Sequence, residues 1–283
     1  MSLFLQSELL EGKRFKFGEI WSCFLKLLDE KRIVHAEKSL SEMLDVINLN
    51  DKSFLDVGCG SGLFSLAARR LGAKVHSFDF DPASIACTLE LKQRYFPDEK
   101  NWLIEEASVL DDDYLSRLGK FDVVYSWGVL HHTGKMRQAL GNVTPLVSEG
   151  GSLFISIYHD QGLRSIYWSI IKRMYNISII FKVVIILIHF PFLYLLRYIL
   201  RFISCRQIER GMSLWYDMLD WLGGFPFEVS KPQDIIHFYN LRGFYLTCLK
   251  SSSGRSGCNE YVFLKGSLNN LVELRDKAVD CSI

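Results

Sequence analysis

The chain has 283 residues, with 33 basic and 32 acidic side chains, a formal net charge of +1 and 49% hydrophobic residues. That length holds one large domain, or a core domain with a substantial insertion; the composition excludes disordered and fibrous chains and the mini-domains that depend on metal or disulfide staples. Near-neutral charge argues against a whole-surface nucleic-acid binder, although a local patch can hide inside the average.

In chain order, the opening MSLFLQSELLEGKRFKF has no basic stretch followed by an apolar one, so it does not read as a signal peptide. Seven cysteines lie at 23, 59, 87, 205, 248, 258 and 281 with no C-x-x-C pair, and no Cys/His cluster has zinc spacing, so no metal is expected. The expectation is a reduced, cytoplasmic setting with free, mostly buried thiols. Residues 1–50 read as helices, because Trp21, Phe24, Leu25 and Leu28, then Val34, Leu40, Met43, Leu44 and Ile47, recur at helical spacing. They form a cap packed on the core or a lid over a ligand; both readings stand.

From residue 51 short apolar runs alternate with helical stretches. Strands are predicted at Ser53–Val57, Lys74–Phe78, Trp102–Glu105, Phe121–Tyr125 and Ser152–Tyr158. Helices are predicted at Leu63–Leu71, from Asp81-Pro82 to about Tyr95 with Asp81 as N-cap, and over 135–147. Gly150-Gly151 is read as the turn into the fifth strand. Strands separated by helices imply a mostly parallel sheet covered on both faces.

Residues 161–210 break the rhythm. Arg164, Lys172, Arg173, Lys182, Arg197, Arg201, Arg206 and Arg210 stand against Glu209 alone, a local charge of +7. Within this stretch Val183–Leu196 has 14 residues without a formal charge. A crossing helix needs roughly 20 apolar residues, so this run, interrupted by Pro191, reads as a buried helix, a lid or an interfacial element. Trp215, Tyr216, Asp217, Asp220 and Trp221 follow, with Asp217 and Trp221 on one helical face, as substrate-cap aromatics or ordinary packing. Ser230-x-x-Gln233 reads as a capping box opening a helix that ends before Gly243. Phe244–Lys250 and Asn259–Leu264 then form an antiparallel hairpin across SSSGRSG. The chain divides into an N-terminal helical cap (1–50), a core (51–160), a helical insertion (161–225) and a C-terminal helix with two strands (226–283).

The sharpest motif is Asp56-Val57-Gly58-Cys59-Gly60-Ser61-Gly62, which follows a strand and opens a helix. Its spacing is G-x-G-x-G, not the G-x-G-x-x-G of dinucleotide sites, and a carboxylate stands two residues upstream. That carboxylate disfavours a diphosphate and favours a ligand with an ammonium group and a ribose. No G-K-[ST] follows, so Walker-type phosphate binding is excluded. Asp79, with Phe80 beside it, ends the second strand 23 residues after Asp56, where an acid in doubly wound folds accepts ribose hydroxyls. Ala107-Ser108-Val109-Leu110-Asp111 follows the third strand, and Ser126-Trp127-Gly128-Val129-Leu130-His131-His132 ends the fourth, at the carboxyl edge where ligands lie.

The ordered set DVGCGSG, FDFDP, ASVLD and FDVVYSWGVLHH resembles the class I S-adenosylmethionine-dependent methyltransferases. The resemblance implies a Rossmann-like, doubly wound α/β fold with a seven-stranded, mostly parallel sheet and one antiparallel edge strand. It further implies S-adenosylmethionine as cofactor, with Gly58, Cys59, Gly60 and Gly62 holding its methionine part and Asp56 supporting the loop and the amino group. Asp79 resembles the ribose-binding acid, Ser108 and Val109 the adenine contacts, and Trp127 and Val129 the residues beside the sulfonium. RFKFGEIW, SLAARRLGAKVHSFDFDP, SWGVLHHTG, IYHDQG and GMSLWYDMLDWLGGFPFEVSKP make the chain similar to bacterial methyltransferases loosely labelled ubiquinone-biosynthesis-like, which include 2-polyprenyl-6-hydroxyphenyl methylases. Fold and cofactor carry over from such a likeness; the acceptor does not.

Transfer to an acceptor hydroxyl needs a base. His131 and His132 after the fourth strand, and His159 oriented by Asp160 after the fifth, are the candidates; each could equally fix its loop. Asn259 or Glu260 is placed to close the acceptor pocket. Three functions follow. The first is O-methylation of a small, partly apolar or membrane-proximal acceptor, with residues 161–210 in peripheral contact with the membrane. The second is an RNA or tRNA methyltransferase using the same basic segment on phosphates, disfavoured by its apolar middle. The third is a cofactor-binding protein without catalysis.

Overall fold

A computed structural model of the chain describes residue 15 and residues 17–199, 214–252 and 257–266. The readings made for Cys205, Cys281, Arg201, Arg206, Glu209, Arg210 and the turn at 253–256 lie outside the described residues.

Seven strands form one sheet: β1 (Ser53–Val57), β2 (Lys74–Asp79), β3 (Trp102–Glu106), β4 (Phe121–Trp127), β5 (Val147–Tyr158), β6 (Phe244–Lys250) and β7 (Cys258–Lys265). Their order is β3-β2-β1-β4-β5-β7-β6. β1 to β5 are mutually parallel, and β7 runs antiparallel to both β5 and β6. The chain winds outward from β1 in one direction and from β4 in the other, so the sheet has a switch point between them, the place where a crevice opens in doubly wound folds.

Period-two alternation sorts the core into two layers. Phe54, Val75, Val123, Tyr125 and Phe154 point to one face. There they meet α1 (Phe17–Leu25), α2 (Glu30–Leu44), α3 (Leu63–Arg70) and α4 (Pro82–Tyr95). Leu55, Val57, Val124, Leu153 and Ile155 point to the other face. That face is covered by α5 (Asp112–Leu118), α6 (Met136–Val143) and α10 (Pro232–Asn240). Among the described residues the insertion is a third layer of three helices, α7 (Leu163–Tyr175), α8 (Ile179–Phe190) and α9 (Leu214–Gly223), with a small core of its own around Tyr175, Ile185, Met218 and Leu222.

Several expectations are corrected. In α2 the buried face is Ile33, Ala36, Leu40 and Met43, whereas Val34 is exposed on the opposite face and Ile47 lies exposed beyond the helix, which ends at Leu44. Among the described cysteines, all free, Cys59 and Cys87 are buried but Cys23, Cys248 and Cys258 are only partly so. α5 has no counterpart in the sequence reading. β5 begins at Val147 and runs through Gly150-Gly151, not after it. A Cβ on Gly151 would lie 2.9 Å from the carbonyl oxygens of Asp122 and Ser148, so only glycine keeps the strand this close to β4. No capping box forms at Ser230: Lys231 is the N-cap of α10, and Ser230 is held in a bridge with His159 by its N–H donating to the Tyr158 carbonyl (3.0 Å).

The apolar run of the insertion is not stopped by Pro191. A π-turn over Pro191–Leu195 absorbs the missing N–H, and the helix continues unbroken over Ile179–Ile199, 21 residues. It is not a buried helix either: only 11% of its most apolar window is buried.

Candidate functional site

The turn between β1 and α3 is built by glycine. Gly58, Gly60 and Gly62 all have positive φ, at 78°, 55° and 79°. The N–H groups of Gly58 and Cys59 both donate to the Phe78 carbonyl (2.8 and 3.1 Å), which ties the turn to the end of β2. A Cβ on Gly58 would lie 2.5 Å from both γ-carbons of Val129, so the turn is also pressed against the loop after β4. On Gly60 the nearest atom to a Cβ would be Trp21 Nε1, at 3.1 Å. α1 therefore lies over the glycine turn as well as packing on α4, and its position is pinned by Asp81, which accepts from Gly18 N (2.9 Å) while capping α4 through Ala83 N (2.9 Å).

Two carboxylates are buried under this turn. Asp56 accepts a hydrogen bond from Ser65 Oγ on α3, and Ser65 is linked to Ser77 on β2 (2.7 Å). Asp79 accepts from Gly60 N (3.0 Å) and from Asp81 N (2.9 Å). Burial pushes the Asp56 carboxyl up to about 7, with the Asp79 charge adding and the Ser65 bond opposing. Burial likewise pushes Asp79 up to about 6, with the Asp81 charge adding and the backbone donors of Asp81, Gly60 and Phe80 opposing. Burial disfavours the charged form of both groups, a situation that a bound cation relieves.

A single cavity of about 440 Å³ runs from these carboxylates along the carboxyl edge of the sheet. Of the sequence-derived ligand-binding residues, Asp56, Gly58, Cys59, Gly60, Asp79, Phe80, Ser108, Val109, Trp127 and Val129 all line it. Gly62 stands behind them, at the start of α3, where a Cβ would meet Thr88. Of the three candidate bases and the orienting Asp160, only His132 lines the cavity. His131 is fully buried, its ring 4.2 Å from that of Tyr158, and burial pushes it well below the ordinary histidine range, with the neighbouring His132 adding to the effect. His159 contacts Asn259 Nδ2 through Nδ1 (3.2 Å), and Asp160 accepts from Gly162 N (2.9 Å), so both sit in the junction between β5, β7 and the insertion.

Residues 55–153 match a family model described as a methyltransferase domain. The tRNA U34 carboxymethyltransferase of Pseudomonas savastanoi is 35% identical over 109 residues, 38% of this chain and 33% of that protein. The ribosomal protein L11 methyltransferase of Haemophilus influenzae is 34% identical over 117 residues, 41% of this chain and 36% of that protein. The chain thus aligns with about a third of the length of these curated relatives. Among solved structures, the magnesium protoporphyrin IX methyltransferase of Synechocystis, with bound S-adenosylmethionine, superposes with a TM-score of 0.51 at 13% identity, covering 83% of this chain and 80% of that one.

The chain has the class I S-adenosylmethionine-dependent methyltransferase fold.

In this methyltransferase fold the far end of the cavity is made by the two covers. Phe15 and Phe17 come from the N-terminal side, and Asp217, Asp220 and Trp221 from α9. His132 stands between them. Its Nδ1 lies 2.5 Å from the Pro226 carbonyl oxygen, and its ring packs on Phe17 (5.0 Å) and Tyr158 (5.5 Å). A carbonyl oxygen only accepts, so Nδ1 carries a proton and the lone pair of the neutral ring is on Nε2. Gly224 makes room for this arrangement, since a Cβ there would be 3.1 Å from His132 Cε1. Glu260 closes the cavity from β7 and accepts from Trp127 Nε1 (3.0 Å), whereas the neighbouring Asn259 is turned into the β7 junction.

Sequence reasoning missed Lys172. It is fully buried, donates to the Trp221 carbonyl, and has its ammonium 4.6 Å from the Trp221 ring centre, 4.9 Å from Phe227 and 5.8 Å from Tyr158. Burial lowers this lysine and raises Asp220, whose buried Oδ1 has no hydrogen-bond partner. The aromatic run after residue 214 was a signal for the cage; nothing local distinguishes Lys172 from its neighbour Arg173, which is exposed.

Proposed function

We propose that the protein transfers a methyl group from S-adenosylmethionine to a hydroxyl of a small, partly apolar molecule. One observation carries this reading: a single cavity joins the glycine turn and its two buried carboxylates to His132 and an aromatic acceptor end. Bound S-adenosylmethionine supplies an electrophilic methyl group on a positively charged sulfur. The residues of the chain fit it. The Gly58–Gly60 turn, at positive φ, brings its backbone to the cavity wall, and Asp56 and Asp79 offer the negative charge that an ammonium and a ribose recruit. Ser108 and Val109 form the adenine side, and Trp127 and Val129 flank the reacting centre.

The acceptor is held between Phe17, Tyr158 and Trp221, where an apolar body gains by burial. His132 takes the hydroxyl proton on Nε2 as the carbon–oxygen bond forms and the carbon–sulfur bond breaks. The Pro226 carbonyl fixes the tautomer and the ring plane for that task. A prenylated phenol, the acceptor class suggested by the ubiquinone-biosynthesis-like runs, has this combination of acidic hydroxyl and apolar body.

An RNA acceptor is the second reading, favoured by the tRNA-modifying relatives and the basic excess of 161–210. Against it, among the described residues the exposed surface of the insertion is dominated by Ile, Leu, Val and Phe side chains rather than by lysine and arginine. One assay separates the readings. The protein is incubated with isotopically methyl-labelled S-adenosylmethionine and either a small-molecule extract or total RNA, and the label is traced by mass spectrometry. Label in an extract component is expected; label in RNA moves the assignment to the second reading. No calorimetric binding of S-adenosylmethionine removes both.

The two carboxylates give this reading a pH signature. Below about pH 6 to 7 both are protonated, and their attraction for a cation is lost. S-adenosylmethionine should therefore bind at least roughly tenfold more weakly at pH 5 than at pH 8, because each group held protonated costs about tenfold per unit below its pKa. Uncharged adenosine, which lacks the ammonium and the sulfonium and meets only Asp79 through its ribose, should show a weaker trend. Stability of the ligand-free protein runs the other way. The folded state keeps protons that the unfolded chain has lost, so these groups make stability fall as pH rises from about 4 to 7 and level off above.

A further inference from the structure

The helix Ile179–Ile199 presents a surface that the fold does not use. Its mean hydropathy is 2.5. Ile179, Ile180, Leu187, Ile188 and Phe192 are each between 59% and 72% exposed. α7 adds a second stripe at helical spacing, Leu163, Ile166, Tyr167 and Ile170, all exposed. The Tyr167 hydroxyl lies 2.8 Å from His189 Nε2, while His189 Nδ1 donates to the Ile185 carbonyl (2.8 Å), so this stripe runs beside the seam between the two helices. The apolar faces of α7 and α8 thus form one sheet-like hairpin surface, far larger than scattered exposed side chains require.

At about 1.5 Å per residue, 21 residues reach roughly 30 Å, the thickness of a bilayer core. The topology nevertheless forbids a crossing. α7 leaves from the end of β5, while β7 and β6, which follow the helix in sequence, complete the same sheet. Only residues 200–213 separate Ile199 from Leu214 of α9, and α9 packs back on α7 and α8. That is fewer than the roughly 20 residues of a second crossing helix, and unpaired extended backbone is not tolerated in lipid. Both ends of the helix therefore stay on the side of the sheet.

Charge selects the partner. No acidic residue occurs between Asp160 and Glu209. Arg164 and Arg173 are exposed on α7, and Lys182 sits over the Tyr175 ring at 5.4 Å on α8. A second copy of the chain docking face to face would set these cations against themselves, since a two-fold contact uses the same patch twice. An anionic bilayer surface complements them. The far end of the helix reaches the site: Arg197 lines the cavity and pairs with Asp217 of α9 (2.8 Å).

We propose that the α7–α8 hairpin is a monotopic anchor that lies in the plane of an anionic membrane interface, so that the acceptor is an amphiphile drawn from that bilayer past Arg197. The second half of this statement rests on the methyl-transfer reading; the anchor itself does not.

The test is flotation of the full chain with vesicles of phosphatidylcholine alone and of an equal mixture with phosphatidylglycerol. Binding is expected to the mixture, weaker to the neutral vesicles, and partly reversed by salt. The triple variant Ile180→Asp, Leu187→Asp, Phe192→Asp changes only exposed side chains. It should lower the bound fraction roughly tenfold or more, because apolar insertion supplies most of the affinity. Failure of the native chain to float, or flotation unchanged by the triple variant, overturns the anchor. So does a stable dimer in lipid-free solution that the triple variant dissociates, which assigns the surface to a second copy. Calorimetric binding of S-adenosylmethionine by the native chain reads the other assignment separately: a native chain that binds the cofactor but does not float removes the anchor alone, and one that floats but does not bind it removes methyl transfer alone.

Discussion

Replacing Gly58 with alanine is expected to weaken S-adenosylmethionine binding by roughly 100-fold while leaving the rest of the protein folded. Two costs act at this position. The backbone sits at φ +78°, where an L-residue costs about 1–2 kcal/mol. The new Cβ would also lie 2.5 Å from both γ-carbons of Val129, and overpacking of that kind costs about 1–3 kcal/mol. The strain is relieved when the turn moves away from the loop after β4, and ligand binding must restore it, so the cost is read as lost affinity at about 1.4 kcal/mol per tenfold. The double variant with Val129→Ala removes the steric part but not the backbone part, and should recover about tenfold of the loss. Thermal unfolding separates this from global damage. Affinity within about threefold of the native chain would show that the glycine turn is not where the ligand lies.

His132→Ala is expected to lower kcat by about 100- to 10,000-fold, the range of a general base, with S-adenosylmethionine affinity nearly unchanged. The ring borders the acceptor end of the cavity and its Nδ1 is held by the Pro226 carbonyl, so its removal leaves an imidazole-sized space. Added imidazole should then restore part of the rate. A merely structural histidine predicts neither the split between kcat and cofactor affinity nor the rescue. A full-rate variant would mean that the acceptor is nucleophilic without a base, and would move the assignment from oxygen towards an amine or thiol.

The parts of the molecule that are local in sequence were legible there. β1, β2 and β4 are short apolar runs between helical stretches, as buried parallel strands are, and the Asp56–Gly62 turn needs glycine at three fixed positions, so sheet and ligand-binding edge follow from short windows. What was not legible depends on distant partners. α5 is only seven residues long and starts with two aspartates after its Asp111 cap, too little apolar periodicity to register. Ser230 carries the right spacing for a capping box, but its backbone is engaged by the end of β5. The continuity of α8 through Pro191 depends on a π-turn that composition does not announce. His131 and His132 are adjacent and chemically identical in sequence; the fold buries one and leaves the other at the cavity because Pro226, 94 residues away, reaches only the second. Lys172 is the clearest case, a charged residue in a basic helix that is buried because Tyr158, Trp221 and Phe227 close around it from three other places in the chain.

The two covers of the cavity share a fastening. Phe15 donates its N–H to the Phe225 carbonyl (3.1 Å), and its ring occupies the space where Gly223 lacks a side chain, 2.0 Å from where a Cβ would be. Phe15 is thereby fastened to the end of α9 rather than to the sheet. The contact between the two covers consequently depends on glycine at 223, and Gly223→Leu is expected to break it, read as an unfolding temperature below that of the native chain.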